Sequence, residues 1–145
     1  MLTQSEIQNL IKTAKLTRRH TFSHVSNHKI GASVLTADGF YFGGCITKGF
    51  ISGLGICAER SAINHAVVHG HYQFQALCVV DTSLTYPCGA CLQFLMQFYQ
   101  VDYRDIDIII ADIHGKYKVT SLLELLPHGY QTTKNLRRIK KYQKF

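Results

Sequence analysis

At 145 residues and 16.4 kDa the chain fits one domain and is long enough to bury a core without disulfide staples. Apolar residues make up 46% of it and charged residues 17%, which excludes a disordered or coiled-coil chain, and apolar runs such as Ile106 to Ala111 are too short to span a bilayer. The net charge of +7 is concentrated at one end: Lys134, Arg137, Arg138, Lys140, Lys141 and Lys144 fall in the last twelve residues, leaving residues 1–133 with ten basic against nine acidic side chains. The chain thus divides into a nearly neutral body, 1–133, and a basic tail, 134–145, read as a solvated charge run, with a phosphate-bearing or acidic partner as the alternative.

Ser5 ahead of Ile7, Leu10, Ile11, Ala14 and Leu16 predicts an amphipathic first helix capped by Ser5, followed by a polar, histidine-rich loop over 17–29. Ile30–Thr36 and Phe40–Phe42, split by Ala37-Asp38-Gly39, predict a hairpin, because Asp-Gly supplies the positive φ of a tight turn. Gly43, Gly44, Gly49, Gly53 and Gly55 then mark a flexible stretch. Cys57–His69 reads as a helix stopped by Gly70, Phe74–Val80 as a strand, and Cys88–Tyr99 as a helix with Pro87 just before it, where a missing N–H costs nothing. Asp105–Ala111 reads as a buried strand paired across His114-Gly115 with Tyr117–Thr120, and Ser121 caps a short helix that ends before Pro127. Helices between strands predict an α/β fold, a three-layer α/β/α arrangement with a mixed central sheet. The N-terminus lacks the basic-then-apolar layout of a signal peptide, and five cysteines, an odd number, point to a reducing, cytoplasmic setting and away from a disulfide framework.

Two stretches carry chemistry: Cys57-Ala58-Glu59-Arg60 at the start of one predicted helix, and Pro87-Cys88-Gly89-Ala90-Cys91 at the start of another. Cys45 and Cys78 sit in strand-like apolar surroundings and read as small buried hydrophobes. The other three do not: Cys88 and Cys91 share one helix face, and all three lie in a first turn, whose partial positive charge is expected to lower a thiol's pKa. Three thiolates leave a fourth position open on a zinc ion, the arrangement of a catalytic site and not a structural one. Glu59, two residues past a ligand, is placed to reach a zinc-bound water without ligating the metal, and a buried carboxylate beside three thiolates without a task would be costly. The remaining histidines, among them His65, His69 and His71, read as surface or loop residues, since three cysteines already supply a ligand set.

The spacing Cys-x-Glu followed thirty residues on by Pro-Cys-x-x-Cys resembles the zinc nucleobase deaminases. The chain is similar, over about residues 5–136, to the small zinc-dependent cytidine deaminases of free nucleosides. The resemblance rests on Ile30-Gly31-Ala32, the Ala37-Asp38-Gly39 turn, Ile56 to Ala62, Pro87 to Cys91 with Gln93, and Leu125-Leu126-Pro127. It implies that Cys57, Cys88 and Cys91 bind Zn2+, that Glu59 is the catalytic proton shuttle, and that Arg60 offsets the thiolate charge. It also implies a hydrolase that converts the cytosine ring of cytidine, deoxycytidine or an analogue to uracil with release of ammonia. The partners it implies are a small nucleoside-like substrate in pyrimidine salvage and further copies of the chain, as a homotetramer or alternatively a homodimer, with neither a membrane nor a nucleic acid required.

The same alignment shows where the pocket departs from the family. Ile46 and Lys48 stand where cytidine-binding members carry an asparagine and a glutamate that hold base and ribose; an apolar side chain and a cation cannot make those contacts. His28 takes the place of an aromatic residue at the pocket mouth, Tyr86 that of a small residue before Pro87, and Leu92 that of an arginine. Ala32, Ala58 and Tyr130 complete the substrate pocket that the resemblance implies. A relative that deaminates blasticidin S also lacks the usual ribose pair, which makes a modified-nucleoside deaminase the alternative. Deamination of a nucleic acid by way of the basic tail, and a zinc-bound binding module without activity, are further alternatives.

Overall fold

Residues of the central strands send apolar side chains alternately to two faces, and both faces are covered. The computed structural model describes residues 1–145. In chain order it comprises α1 (Gln4–Arg18), β1 (Gly31–Thr36), β2 (Tyr41–Cys45), α2 (Ala58–Val68), β3 (Phe74–Asp81), α3 (Gly89–Asp102), β4 (Asp107–Asp112), β5 (Tyr117–Ser121), α4 (Leu122–Leu125) and α5 (Leu136–Lys140). The five strands lie in the order β2-β1-β3-β4-β5, antiparallel except for the parallel pair β3 and β4. That parallel pair needs a crossover, and α3 supplies it. The expected three-layer α/β/α architecture with a mixed sheet is the one observed.

One face of the sheet packs Leu35, Cys78, Val80, Ile109 and Ala111 against Ile7, Leu10, Ile11 and Ala14 of α1. The other packs Val34, Leu77, Val79, Ile108 and Ile110 against Ala58, Ala62, Ile63 and Ala66 of α2 and Leu92, Leu95 and Met96 of α3. Neighbours such as Leu77 and Cys78, or Ile109 and Ile110, thus belong to different cores, as the two-residue period of a strand requires.

Three local readings are corrected. The cap of α1 is Thr3, not Ser5: Thr3 and Glu6 form a reciprocal capping box, which starts the helix one residue before Ser5. Gly43 and Gly44 are strand residues of β2, not part of a flexible stretch. They are glycines because helices press on them: a Cβ at Gly44 would stand 2.3 Å from Ala62 N and 2.7 Å from Ala58 O in α2. The loop expected from residue 17 begins two residues later, because Thr17 and Arg18 still belong to α1 and the Thr17 hydroxyl donates to Gly44 O at 2.9 Å.

The six basic residues of the tail are all exposed, as a solvated charge run requires, but the end of the chain is docked. Residues 136–140 form α5, and the chain end folds back on Gln73, which is 3% exposed. Gln73 Oε1 accepts the backbone N–H groups of Lys144 and Phe145 while Nε2 donates to Phe145 O and Asp102 Oδ2, both at 2.9 Å. Tyr142 packs edge-on to Tyr72 with ring centroids 4.8 Å apart.

What matters for the site is which end of the sheet its loops share. Gly31, the first residue of β1, opposes Cys45 on one side and Val80 on the other, and Val80 opposes Ala111. The loop entering β1, the loop 46–57 leaving β2 and the loop 82–88 leaving β3 therefore meet at one end, where α2 and α3 both begin. No helix is long and apolar enough to cross a membrane.

Candidate metal centre and active site

Cys57 is the N-cap of α2 and Cys88 the N-cap of α3, and neither side chain caps its own helix. Both sulfurs are left free to point into the space between the two helix starts. Cys91, one turn into α3, is buried and adds a third. The three Sγ atoms lie within 4.8 Å of one another, and Cys88 Sγ is 3.4 Å from Cys91 Sγ. A single tetrahedral ion fits such a cluster, since thiolates about 2.3 Å from zinc stand close to 4 Å apart.

The thiols do not titrate alike. Burial opposes ionisation of Cys88, but the Cys91 backbone N–H, the Cys91 thiol and Cys57 outweigh it and hold its pKa below the usual thiol range. Cys91 departs from the expectation drawn from its helix position: burial first, then the Glu59 charge, push its thiol far up. A metal reverses this balance, because a coordinated thiol is deprotonated outright. Cys45 and Cys78 are raised by burial and take no part in the cluster, as their apolar surroundings implied.

Glu59 sits in the first turn of α2 and is 6% exposed. Burial raises its pKa; its own backbone N–H and Arg60 oppose that shift without overcoming it. Its charge acts on both Cys88 and Cys91, which places the carboxylate beside the thiol cluster. Arg60 Nη2 donates to Cys57 Sγ at 3.8 Å, and the guanidinium is itself held charged by that contact. The four-residue stretch from Cys57 thus delivers a sulfur, a buried carboxylate and a cation to one place.

The remaining residues of the expected pocket, His28 apart, divide into three pairs. Ala32 of β1 and Ala58 of α2 are fully buried in the core and offer no surface. Ile46 and Lys48 lie on the loop leaving β2 and tie it to the loop entering β1: Ile46 N donates to Ile30 O at 3.0 Å, Phe22 N to Ile46 O at 3.2 Å, and Lys48 N to Phe22 O at 2.8 Å. Tyr86 is exposed just ahead of Pro87. Tyr130, also exposed, is fixed through its backbone to the Gln93 side chain, at 2.8 and 2.7 Å, on the Arg60 and Ala90 side of α3.

His28 is tied to the end of β3, through a residue that the sequence reading passed over. Its Nε2 lies 2.8 Å from Oδ1 of Asp81, the buried last residue of β3. Burial works against ionisation of Asp81, but the Thr82 backbone N–H, His28 and the Thr85 hydroxyl together hold its carboxyl below the usual range. The signal that could have found Asp81 is its place: a carboxylate ending an otherwise apolar strand, just before the loop to Cys88.

Comparison with known proteins agrees with this geometry. Residues 4–103 match the family model described as the cytidine and deoxycytidylate deaminase zinc-binding region. A probable cytidine deaminase from Dictyostelium discoideum is 36% identical over 130 residues, covering 87% of this chain and 84% of that protein. A blasticidin-S deaminase from Bacillus cereus is 27% identical over 134 residues, covering 85% and 92%. The crystal structure of a cytidine deaminase from Burkholderia pseudomallei superposes with a TM-score of 0.79 at 32% identity, covering 89% of this chain and all of that one.

Proposed function

The chain belongs to the cytidine and deoxycytidylate deaminase family, hydrolases acting on C–N bonds and built around zinc, and from that premise we propose a function for this site. It converts the cytosine ring of a free nucleoside, cytidine, deoxycytidine or an analogue, to uracil with release of ammonia. The observation that carries the reading is three sulfurs within 4.8 Å of one another beside a buried carboxylate.

Cys57, Cys88 and Cys91 would hold the metal. Zinc, when bound, supplies a Lewis acid that makes water a nucleophile at neutral pH. Glu59 would take one proton from the attacking water and pass it to N3 of the ring as C4 is attacked, then take the proton of the new C4 hydroxyl and pass it to the amino group, which leaves as ammonia while the C4 carbonyl forms. The work requires a carboxyl that is both base and acid near the working pH, and burial of Glu59 moves its pKa in that direction. Arg60, against Cys57 Sγ, offsets the charge of three thiolates and acts by positioning.

A modified nucleoside as the preferred substrate is favoured by Ile46 and Lys48. Ribose hydroxyls set against Ile46 would lose their water partners, at about 1–3 kcal/mol for each group left unsatisfied. The blasticidin-S deaminase among the relatives is consistent with such a preference. We place the protein in the cytoplasm, a reading supported by five unpaired cysteines, three of them converging on one point. A homotetramer is supported by the apolar side chains that the loop 46–56 presents beside the site: Phe50 is 80% exposed, with Ile51, Leu54 and Ile56 next to it.

Metal analysis and ammonia release test the function together. One zinc per chain and ammonia from cytidine, deoxycytidine or blasticidin S are expected. A folded, zinc-loaded protein that releases ammonia from none of them contradicts the proposal. Light scattering at micromolar concentration should return four chains per particle, and a monomer would contradict the assembly.

A further inference from the structure

The far end of α2 gathers three histidines that the site described above does not use. His65 lies in the last turn of α2 and His69 is its C-cap, one turn further on. Both are exposed, and their ring centroids stand 5.1 Å apart. His71 follows on the way to β3. All three imidazoles rest on one ring: Phe42 of β2 is 5.2 Å from His65, 5.3 Å from His69 and 5.1 Å from His71. Packing on Phe42 limits the rotation of these side chains, so a ligand that takes them has less freedom to remove.

Hydrogen bonding fixes which nitrogen each ring offers. His65 Nδ1 is 2.9 Å from the Gly43 carbonyl oxygen, and His69 Nδ1 is 2.8 Å from that of His65. A carbonyl can only accept, so both Nδ1 atoms carry a proton and donate it. Each neutral ring is thereby left with its lone pair on Nε2, the tautomer that binds a metal. The backbone carbonyl behind it is the kind of partner that metal-binding histidines use to hold their orientation. His71 Nδ1 is committed to Asp38 Oδ1 at 3.0 Å. No third donor converges on His65 and His69: the one place where three ligating side chains do so is the cysteine cluster.

Position favours a cation as well. The C-terminal end of a helix carries partial negative charge, and one cation is already drawn to this end of α2, Lys144 Nζ at 2.9 Å from the Gly70 carbonyl. We propose that His65 and His69 chelate an exchangeable divalent cation of the nickel, copper and zinc class through their Nε2 atoms. Imidazole suits these metals, and water fills the positions that two nitrogens leave open. So open a site holds its metal loosely: it fills while the ion is in solution and empties on desalting, whereas three thiolates are expected to keep theirs. Because His65 also holds Gly43, a bound ion pins the end of α2 against β2.

The test is calorimetric titration of desalted, zinc-loaded protein with nickel chloride, with zinc release followed in parallel. One nickel per chain should bind without release of zinc. The melting temperature should rise by at least about 4 °C once free nickel exceeds the dissociation constant about a hundredfold. His65→Gln and, separately, His69→Gln should each weaken nickel binding at least about tenfold and remove the thermal shift. His71→Gln should change neither. His69→Gln leaves the bond to Gly43 in place, so it decides the matter even where His65→Gln fails to fold. Absence of bound nickel, or a nickel that survives either substitution of the pair, overturns the proposal. A nickel lost with His71→Gln also overturns it, by placing the ion with His71 and Asp38. Uptake matched by zinc release does the same, by placing the ion among the cysteines. Ammonia release is not a readout, so the outcome stands apart from the proposed function.

Discussion

The two halves of the active-site end are built differently. The thiol cluster and Glu59 stand on the first turns of α2 and α3, helices whose far faces are sunk in the larger core. The loops 19–30 and 46–56 carry no regular element beyond isolated bridges at Phe22, Thr47 and Ile56, and they expose Phe22, Val25, Phe50, Ile51 and Leu54. The thiol cluster is held on helices packed into the core, and on the function proposed above the sugar would be met by loops that can change without disturbing that core. Such a division would let a chain keep a zinc deaminase motif while changing the side chains around its substrate.

Substitutions on the two halves should therefore fail in different ways. Cys88→Ala breaks the anchored half, and it should abolish zinc binding altogether and lower the melting temperature, because metal affinity is also folding free energy. A Cys88→Ala protein that retains one zinc per chain would show that two sulfurs and some other group suffice. Gly44→Ala presses on the same half from beneath. Its Cβ would meet α2 backbone at 2.3 Å, which neither element can relieve by a rotamer change, and a loss of roughly 3 kcal/mol in chemical denaturation is expected. Unchanged stability would mean that β2 and α2 are not held so closely.

The loop half should change preference and leave the fold alone. Ile46→Asn combined with Lys48→Glu restores the amide and carboxylate of the family pattern, and kcat/KM for cytidine should rise about tenfold, near 1.4 kcal/mol, with the melting temperature unmoved. A drop in cytidine turnover would show that the ribose is held from elsewhere. Asp81→Asn gives the smallest effect. The Asp81 carboxyl is depressed in the folded protein, so its contribution is present above the ordinary value of 3.8 and disappears as pH falls through the lower folded one. The variant should be about 1 kcal/mol less stable than wild type at pH 7, and the two melting curves should converge below about pH 3.8. A gap that persists at pH 2 would assign the effect to packing and not to the charge.

Much of the anchored half is legible in the sequence because its determinants are local. Cys-x-Glu and Pro-Cys-x-x-Cys each occupy a single helix start, and strand alternation from Leu77 to Val80 assigns both cores without knowledge of the partners. What sequence reading misses is set by distant contacts. Gly44 reads as flexible until α2 is seen lying on it, and nothing local in the tail shows that Gln73, seventy-two residues from Phe145, holds the backbone of its end. The link between His28 and Asp81 spans fifty-three residues. The Thr3 cap is a different case: Thr3-x-x-Glu6 is a local capping-box pattern, and it outcompetes Ser5, two residues further on.

The central claim is that Glu59 moves the proton and the cysteines alone hold the metal, and one comparison tests it most directly. Wild-type and Glu59→Gln protein are loaded with zinc, assayed for metal per chain, and measured for ammonia release from the same cytosine substrate. The expected result is one zinc per chain in both, with turnover in the variant lower by at least about a hundredfold. A variant that loses its zinc, or one that keeps wild-type turnover, would contradict the role assigned to Glu59.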